Sequence, residues 1–133
     1  ALPRALPDGV TVYDIDGPLF FGAAQKAMGA LGSIADHSKV VVLRMDAVPA
    51  LDATGLVALE SAIDRLHKSR VYIIISGLQR QPSQLLHKSE LARASSWVAF
   101  CQDTESAIAA AEEHLRNRAP SLRPEARDVR ASS

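Results

Sequence analysis

Residues 10–16, VTVYDID, alternate β-branched or aromatic side chains with polar ones, the period-two pattern of a strand with one buried face. Gly17-Pro18 stops that run, and Ala23, Ala27, Ala30, Leu31 and Ile34 then recur at helical spacing, predicting a helix over 22–35. KVVVLRMD (39–46) is apolar almost throughout, as in a strand covered on both faces. In DATGLVALESAIDRLHKS, Leu56, Leu59, Ile63 and Leu66 fall three and four apart and predict an amphipathic helix over 53–68. RVYIIISG (70–77) is a second strand of the buried kind. A loop with Gln79, Arg80, Gln81 and Pro82 leads to a shorter helix over 82–92, and SWVAFC (96–101) makes a short strand. DTESAIAAAEEHLRNR (103–118) is the last helix, capped by Asp103 or Thr104. Glu105 stands early in it and Arg116 and Arg118 at its end, as the helix dipole favours.

Strand and helix thus alternate four times. Each connection is long enough for a helical crossover, so the expected architecture is α/β with a mostly parallel central sheet of about four strands. In such sheets ligands and partners meet the loops at the carboxyl ends of the strands. Three loops gather there, at 17–22, 47–54 and 76–82.

Composition narrows the function classes. A length of 133 residues suits one domain, and 47% apolar residues can fill its core without disulfides or a structural metal. Formal net charge is zero, so nothing calls for nucleic acid or an anionic membrane as partner. Cys101 is the only cysteine, which excludes a disulfide framework and a CxxC metal cage. No apolar run approaches the roughly 20 residues that span a bilayer, and the start has no signal-peptide pattern. The chain opens ALPRALPDG without an initiator Met, as expected of a piece of a longer protein. Residues 1–7 are then a lead-in, 8–118 the folded domain, and 119–133, with prolines, arginines and hardly a bulky apolar side chain, a disordered tail.

Candidate chemistry concentrates at Asp52-Ala53-Thr54-Gly55, where strand gives way to helix. Asp52 or Thr54 can accept a hydrogen bond from the free amides of the helix's first turn, and a carboxylate there gains from the helix dipole. The same amides can hold a phosphate, but the chain has no GxxxxGK[ST], no GxGxxG and no GxSxG. His37, His67, His87 and His114 show no ligand spacing and suit surface or cap roles, His114 near the end of the last helix. Asp14, Asp16 and Asp46 are expected to be solvated, and Cys101 to be a small core residue. No cofactor, metal or catalytic residue is expected. In GPLFFG, Pro18, Leu19, Phe20 and Phe21 crowd one turn. Either two of the bulky residues seal the end of the sheet, or at least one is exposed in a docking patch.

VTVYDIDGPLFFGAAQK, KVVVLRMDAVPALDATGLVALE and VYIIISGLQRQPSQLL, in that order, resemble the STAS domain named for sulfate transporters and anti-sigma factor antagonists. GPLFF and D-x-VP-x-LD-x-TGL are most similar to the branch found as the cytosolic C-terminal domain of SulP (sulfate permease) anion transporters; the resemblance spans about residues 8–115. It implies a STAS-like fold with helices packed mainly on one face of the sheet. It also implies a non-enzymatic regulatory and interaction role at the cytoplasmic face of the inner (plasma) membrane, as part of an integral membrane protein, and makes residues 1–7 the lead-in from an upstream membrane domain. The implied partners are the membrane domain of the same transporter, then another STAS domain or a cytosolic protein; some family members bind nucleotides weakly. In the anti-sigma antagonists the residue after the Asp is a Ser that a partner kinase phosphorylates. Here that position is Ala53, with Thr54 beside it, so the turn keeps the switch's frame without its usual phosphoacceptor. A free-standing partner-switching regulator is the alternative. The expected contact surface is the loop Asp52, Ala53, Thr54 and Gly55 together with Pro18 to Phe21.

Overall fold

The computed structural model describes residues 6–93 and 97–122. Four strands and four helices alternate along them: β1 (Val10–Asp16), α1 (Phe21–Ile34), β2 (Val40–Ala47), α2 (Ala53–Lys68), β3 (Tyr72–Ser76), α3 (Arg80–His87), β4 (Val98–Cys101) and α4 (Thr104–Leu122). Short 3-10 turns occupy Ala35–His37 and Glu90–Arg93. The strands form one sheet in the order β1-β2-β3-β4, every pair parallel, with Val12 opposite Val42, Val42 opposite Ile74 and Ile74 opposite Ala99.

Because side chains alternate along a strand, the two central strands split their apolar runs between two cores. Val41, Leu43, Met45, Ile73 and Ile75 face the larger one, which takes Met28 and Leu31 from α1, Leu59 and Ile63 from α2, and Leu86 from α3. Val40, Val42 and Ile74 face a smaller core closed by Ala107 and Ala111 of α4. Three helices therefore share one face, as the resemblance implied, and α4 covers the other.

Two helices end elsewhere than the periodicity suggests. The helix expected over 82–92 stops at His87, because the buried Ser89 hydroxyl donates to Leu86 O at 2.7 Å and accepts from Leu91 N–H at 3.2 Å. Such side-chain bonding competes with the helical ladder. The last helix runs on to Leu122, past the expected end at 118. Pro120 removes one amide donor without stopping it. Residues 119–122 thus belong to α4 and not to a tail, Arg116 and Arg118 lie short of the last turn, and His114 sits mid-helix. The rest of the expected tail, 123–133, and most of the lead-in, 1–5, lie outside the described residues, as does the start of the strand expected at 96.

Candidate functional site at the carboxyl ends of the strands

The loops that leave β1 and β2 are zipped together beyond the strands. Gly17 N–H donates to Ala47 O and Leu19 N–H to Ala50 O, both at 2.9 Å, and Leu19 and Leu51 form an isolated parallel bridge. Leu19 and Leu51 are buried, which seals the end of the larger core. Once Leu19 points inward, the two residues that follow cannot. Phe20 is 47% exposed and Phe21 56%, at the start of α1. One bulky residue therefore closes the sheet and two face solvent, while Pro18 is exposed beside them.

On the neighbouring loop, Asp52 has extended backbone and is the N-cap of α2. Its Oδ1 accepts from Gly55 N–H at 2.7 Å and from the Thr54 hydroxyl at 2.8 Å. Thr54 is therefore a support for the cap and not the cap. These two donors, the Gly55 amide first, hold the Asp52 carboxyl below its ordinary pKa. Ala53 and Thr54 are exposed, and Gly55 is buried against the carbonyl of Leu19. The pieces expected to make one surface, Pro18 to Phe21 and Asp52 to Gly55, are thus adjacent through the Leu19–Leu51 bridge.

The third loop fastens the second. Gln79 Nε2 donates to Asp46 O at 2.8 Å, and the Gln81 side chain reads both backbone groups of Leu51. Its Oε1 accepts from Leu51 N–H at 2.8 Å and its Nε2 donates to Leu51 O at 2.9 Å. Gly77, in the left-handed region at φ 74°, permits this approach, since a Cβ there would stand 2.8 Å from Asp46 Cβ. On the opposite side of the sheet, Arg44 Nε lies 3.2 Å from Asp14 Oδ1 and Arg44 Nη2 3.7 Å from Asp46 Oδ2. Asp14 and Asp46 are solvated, as expected, and share one guanidinium.

Arg44, Gln79, Gln81 and the 60% exposed Val57 of α2 went unrecognised in the sequence. Only two left a trace there: a charge inside an apolar strand run for Arg44, and a branched apolar residue among the polar positions of an amphipathic helix for Val57. Loop glutamines look the same whether or not they clamp a backbone.

The remaining candidates stay apart from this edge. His67 stacks on Trp97 with ring centroids 4.1 Å apart, and His114 on Tyr72 at 3.9 Å, so both act as flat packing surfaces. His87 Nδ1 lies 3.0 Å from Ser83 O. Cys101 packs against the smaller core, and burial, helped by the Asp103 charge, pushes its thiol pKa up. Among the described residues no group of three or more His, Cys, Asp or Glu is placed to hold a metal ion, and no helix is long and apolar enough to cross a membrane.

The profile of the STAS domain matches residues 4–107. The chain belongs to the STAS domain family. Over 83 residues it is 34% identical to the Bacillus subtilis (strain 168) protein named "Putative sulfate transporter YvdB", a match that takes in 62% of this chain and 16% of that protein's length. Two crystal structures are similar along most of both chains. A sulfate transporter family protein from Wolinella succinogenes is 31% identical, with a TM-score of 0.73, covering 85% of this chain and 93% of its own. The STAS domain of a SulP transporter from Vibrio cholerae is 32% identical, with a TM-score of 0.70, covering 85% and 88%. A Thermotoga maritima structure described as a "putative anti-sigma factor antagonist" shares the fold alone, at 13% identity and a TM-score of 0.60 over 86% of this chain and 94% of its own. The relatives above 30% identity thus carry sulfate transporter names.

Proposed function

We propose that this STAS domain is the regulatory and interaction module of a SulP-type secondary anion transporter. It lies at the cytoplasmic face of the plasma membrane, performs no catalysis, and acts by contact with the transporter's membrane domain. The contact surface is the edge where Phe20 and Phe21 stand beside the Asp52–Gly55 turn. The observation that carries this reading is the pair of exposed phenylalanines on a rigid base. Leu19 is pinned by its bridge to Leu51, Gln81 holds Leu51, and Asp52 caps α2, so two aromatic rings are held in water at the cost of leaving their area unburied.

The partner-switching alternative needs a phosphoacceptor in this turn. Position 53 is alanine, and the Thr54 hydroxyl is engaged by Asp52. A bound nucleotide or anion fares little better, since the Asp52 carboxylate already takes the Gly55 amide and sets a negative charge in the same field.

The test is anion uptake by the full-length transporter carrying Phe20→Ser and Phe21→Ser together. We expect uptake or surface assembly to fall severalfold, while the isolated double variant melts no lower than the wild-type domain. Unchanged uptake at unchanged transporter abundance would reject the reading.

A further inference from the structure

α1 and α2 lie side by side over the larger core, and between their outer faces runs a furrow of about 540 Å³. Phe21, Met28 and Gly29 line it from α1, and Val57, Ser61 and Arg65 from α2. It continues past Arg65 as a smaller depression of about 180 Å³ bordered by Gly32 and Ser69. One end is apolar, with Phe21 and the 60% exposed Val57 in solvent. Two turns along α2, about 12 Å away at 1.5 Å per residue, Arg65 is exposed and makes no salt bridge among the described residues. It is the one charged side chain among the described residues lining the furrow.

The α1 wall is low for no internal reason. Gly22, Gly29 and Gly32 each weaken a helix relative to alanine, yet a Cβ on any of them would meet nothing within 4 Å. Among the described residues nothing requires their smallness. A backbone approaching from outside would meet no side chain at Gly29 and Gly32, which border the furrow and the depression that continues it.

We propose that the furrow seats an amphipathic helix of the same transporter polypeptide, with an apolar anchor over Phe21 and Val57 and a carboxylate two turns further on for Arg65. This rests on the regulatory reading above and names the partner's chemistry. Charge complementarity selects the occupant: among the described residues no anion stands at Arg65, and a second copy docked furrow to furrow offers none, because the described lining carries no carboxylate. The matched transporter extends far beyond the homologous stretch, which is 16% of its length, so chain able to supply the helix is at hand.

The test uses two designed helical peptides of about four turns. Each has a leucine anchor, and they differ only in glutamate or lysine two turns away. Binding is followed by amide chemical shifts of the 133-residue chain. The glutamate peptide is expected to bind with shifts confined to α1 and α2, and the lysine twin roughly tenfold more weakly. Arg65→Glu should reverse that order with a small drop in melting temperature, because an acid in the last turn of α2 opposes the helix dipole. Gly29→Leu should abolish binding of both peptides while raising the melting temperature. Equal affinities, an order that Arg65→Glu leaves intact, or self-association through the furrow overturns the proposal. Charge-blind peptide binding with transport still sensitive to Phe20 and Phe21 would remove the helix and spare the regulatory role. Charge-dependent binding with transport indifferent to those phenylalanines would do the reverse.

Discussion

Gly55 approaches the carbonyl of Leu19 so closely that a Cβ on it would stand 2.0 Å from that oxygen. Gly55 also gives its amide to Asp52, so one residue joins the cap of α2 to the loop that presents Phe20 and Phe21. Gly55→Ala, which would favour an ordinary helix, here drives a methyl group into backbone. We expect a loss of about 3 kcal/mol in urea unfolding, with the resonances of residues 18–21 displaced.

Gly29 should respond with the opposite sign. It lies inside α1, exposed, with open space around the site of a Cβ. Gly29→Ala is expected to stabilise the domain by about 1 kcal/mol through helix propensity, read as a higher urea midpoint at an unchanged slope. A destabilised variant would mean that α1 is packed from outside even in the isolated chain.

Gln81 is exposed, yet its amide holds both the N–H and the C=O of the buried Leu51. Gln81→Ala should cost about 1–2 kcal/mol and speed amide hydrogen exchange at residues 50–55 more than in the sheet. Gln81→Glu keeps the acceptor and loses the donor, so it should fall between the two.

Both N-cap aspartates accept backbone amides, Asp52 from Gly55 and Asp103 from Ser106, and both carboxyls are held below their ordinary pKa by those bonds. A carboxyl with a lowered folded-state pKa binds its proton less readily in the folded than in the unfolded chain. Its contribution is whole above the ordinary aspartate value of about 3.9 and is lost as pH falls through the lowered folded value. Thermal melts should therefore decline more steeply below about pH 4 for the wild type than for Asp52→Asn with Asp103→Asn, since asparagine caps without titrating. Parallel acid limbs for the two proteins would contradict the assignment.

What could be read in advance follows from what is local. The mostly apolar runs of β2 and β3 announce strands buried on both faces, and the spacing of Leu56, Leu59, Ile63 and Leu66 announces the amphipathic α2. The placement of α1, α2 and α3 on one face was implied by the resemblance alone, and right-handed crossovers account for it once the strand order β1-β2-β3-β4 is known. α4 has no strand after it among the described residues, so no crossover rule applies, and its helical period does not say which face it meets. Only the shared core of Ala107 and Ala111 with Val40, Val42 and Ile74 shows that. The Ser89 hydroxyl is a similar case: its two bonds end the helical run, but a serine at that position is compatible with a helix on propensity alone. At the site, which of Leu19, Phe20 and Phe21 turns inward is set by a bridge to Leu51, 32 positions along the chain, and no pattern within GPLFFG encodes it.

The placement of α4 also bears on how the domain is made. Strands emerge from the ribosome in the same order in which they lie in the sheet, so β1 to β3 and the helices between them can assemble as they appear. Val10, Val40, Val42 and Ile74 nevertheless have no cover until Ala107 and Ala111 arrive. Until they do, one side of a nearly finished sheet is bare and sticky. A nascent chain stalled before residue 104 is the form that chaperones should hold longest.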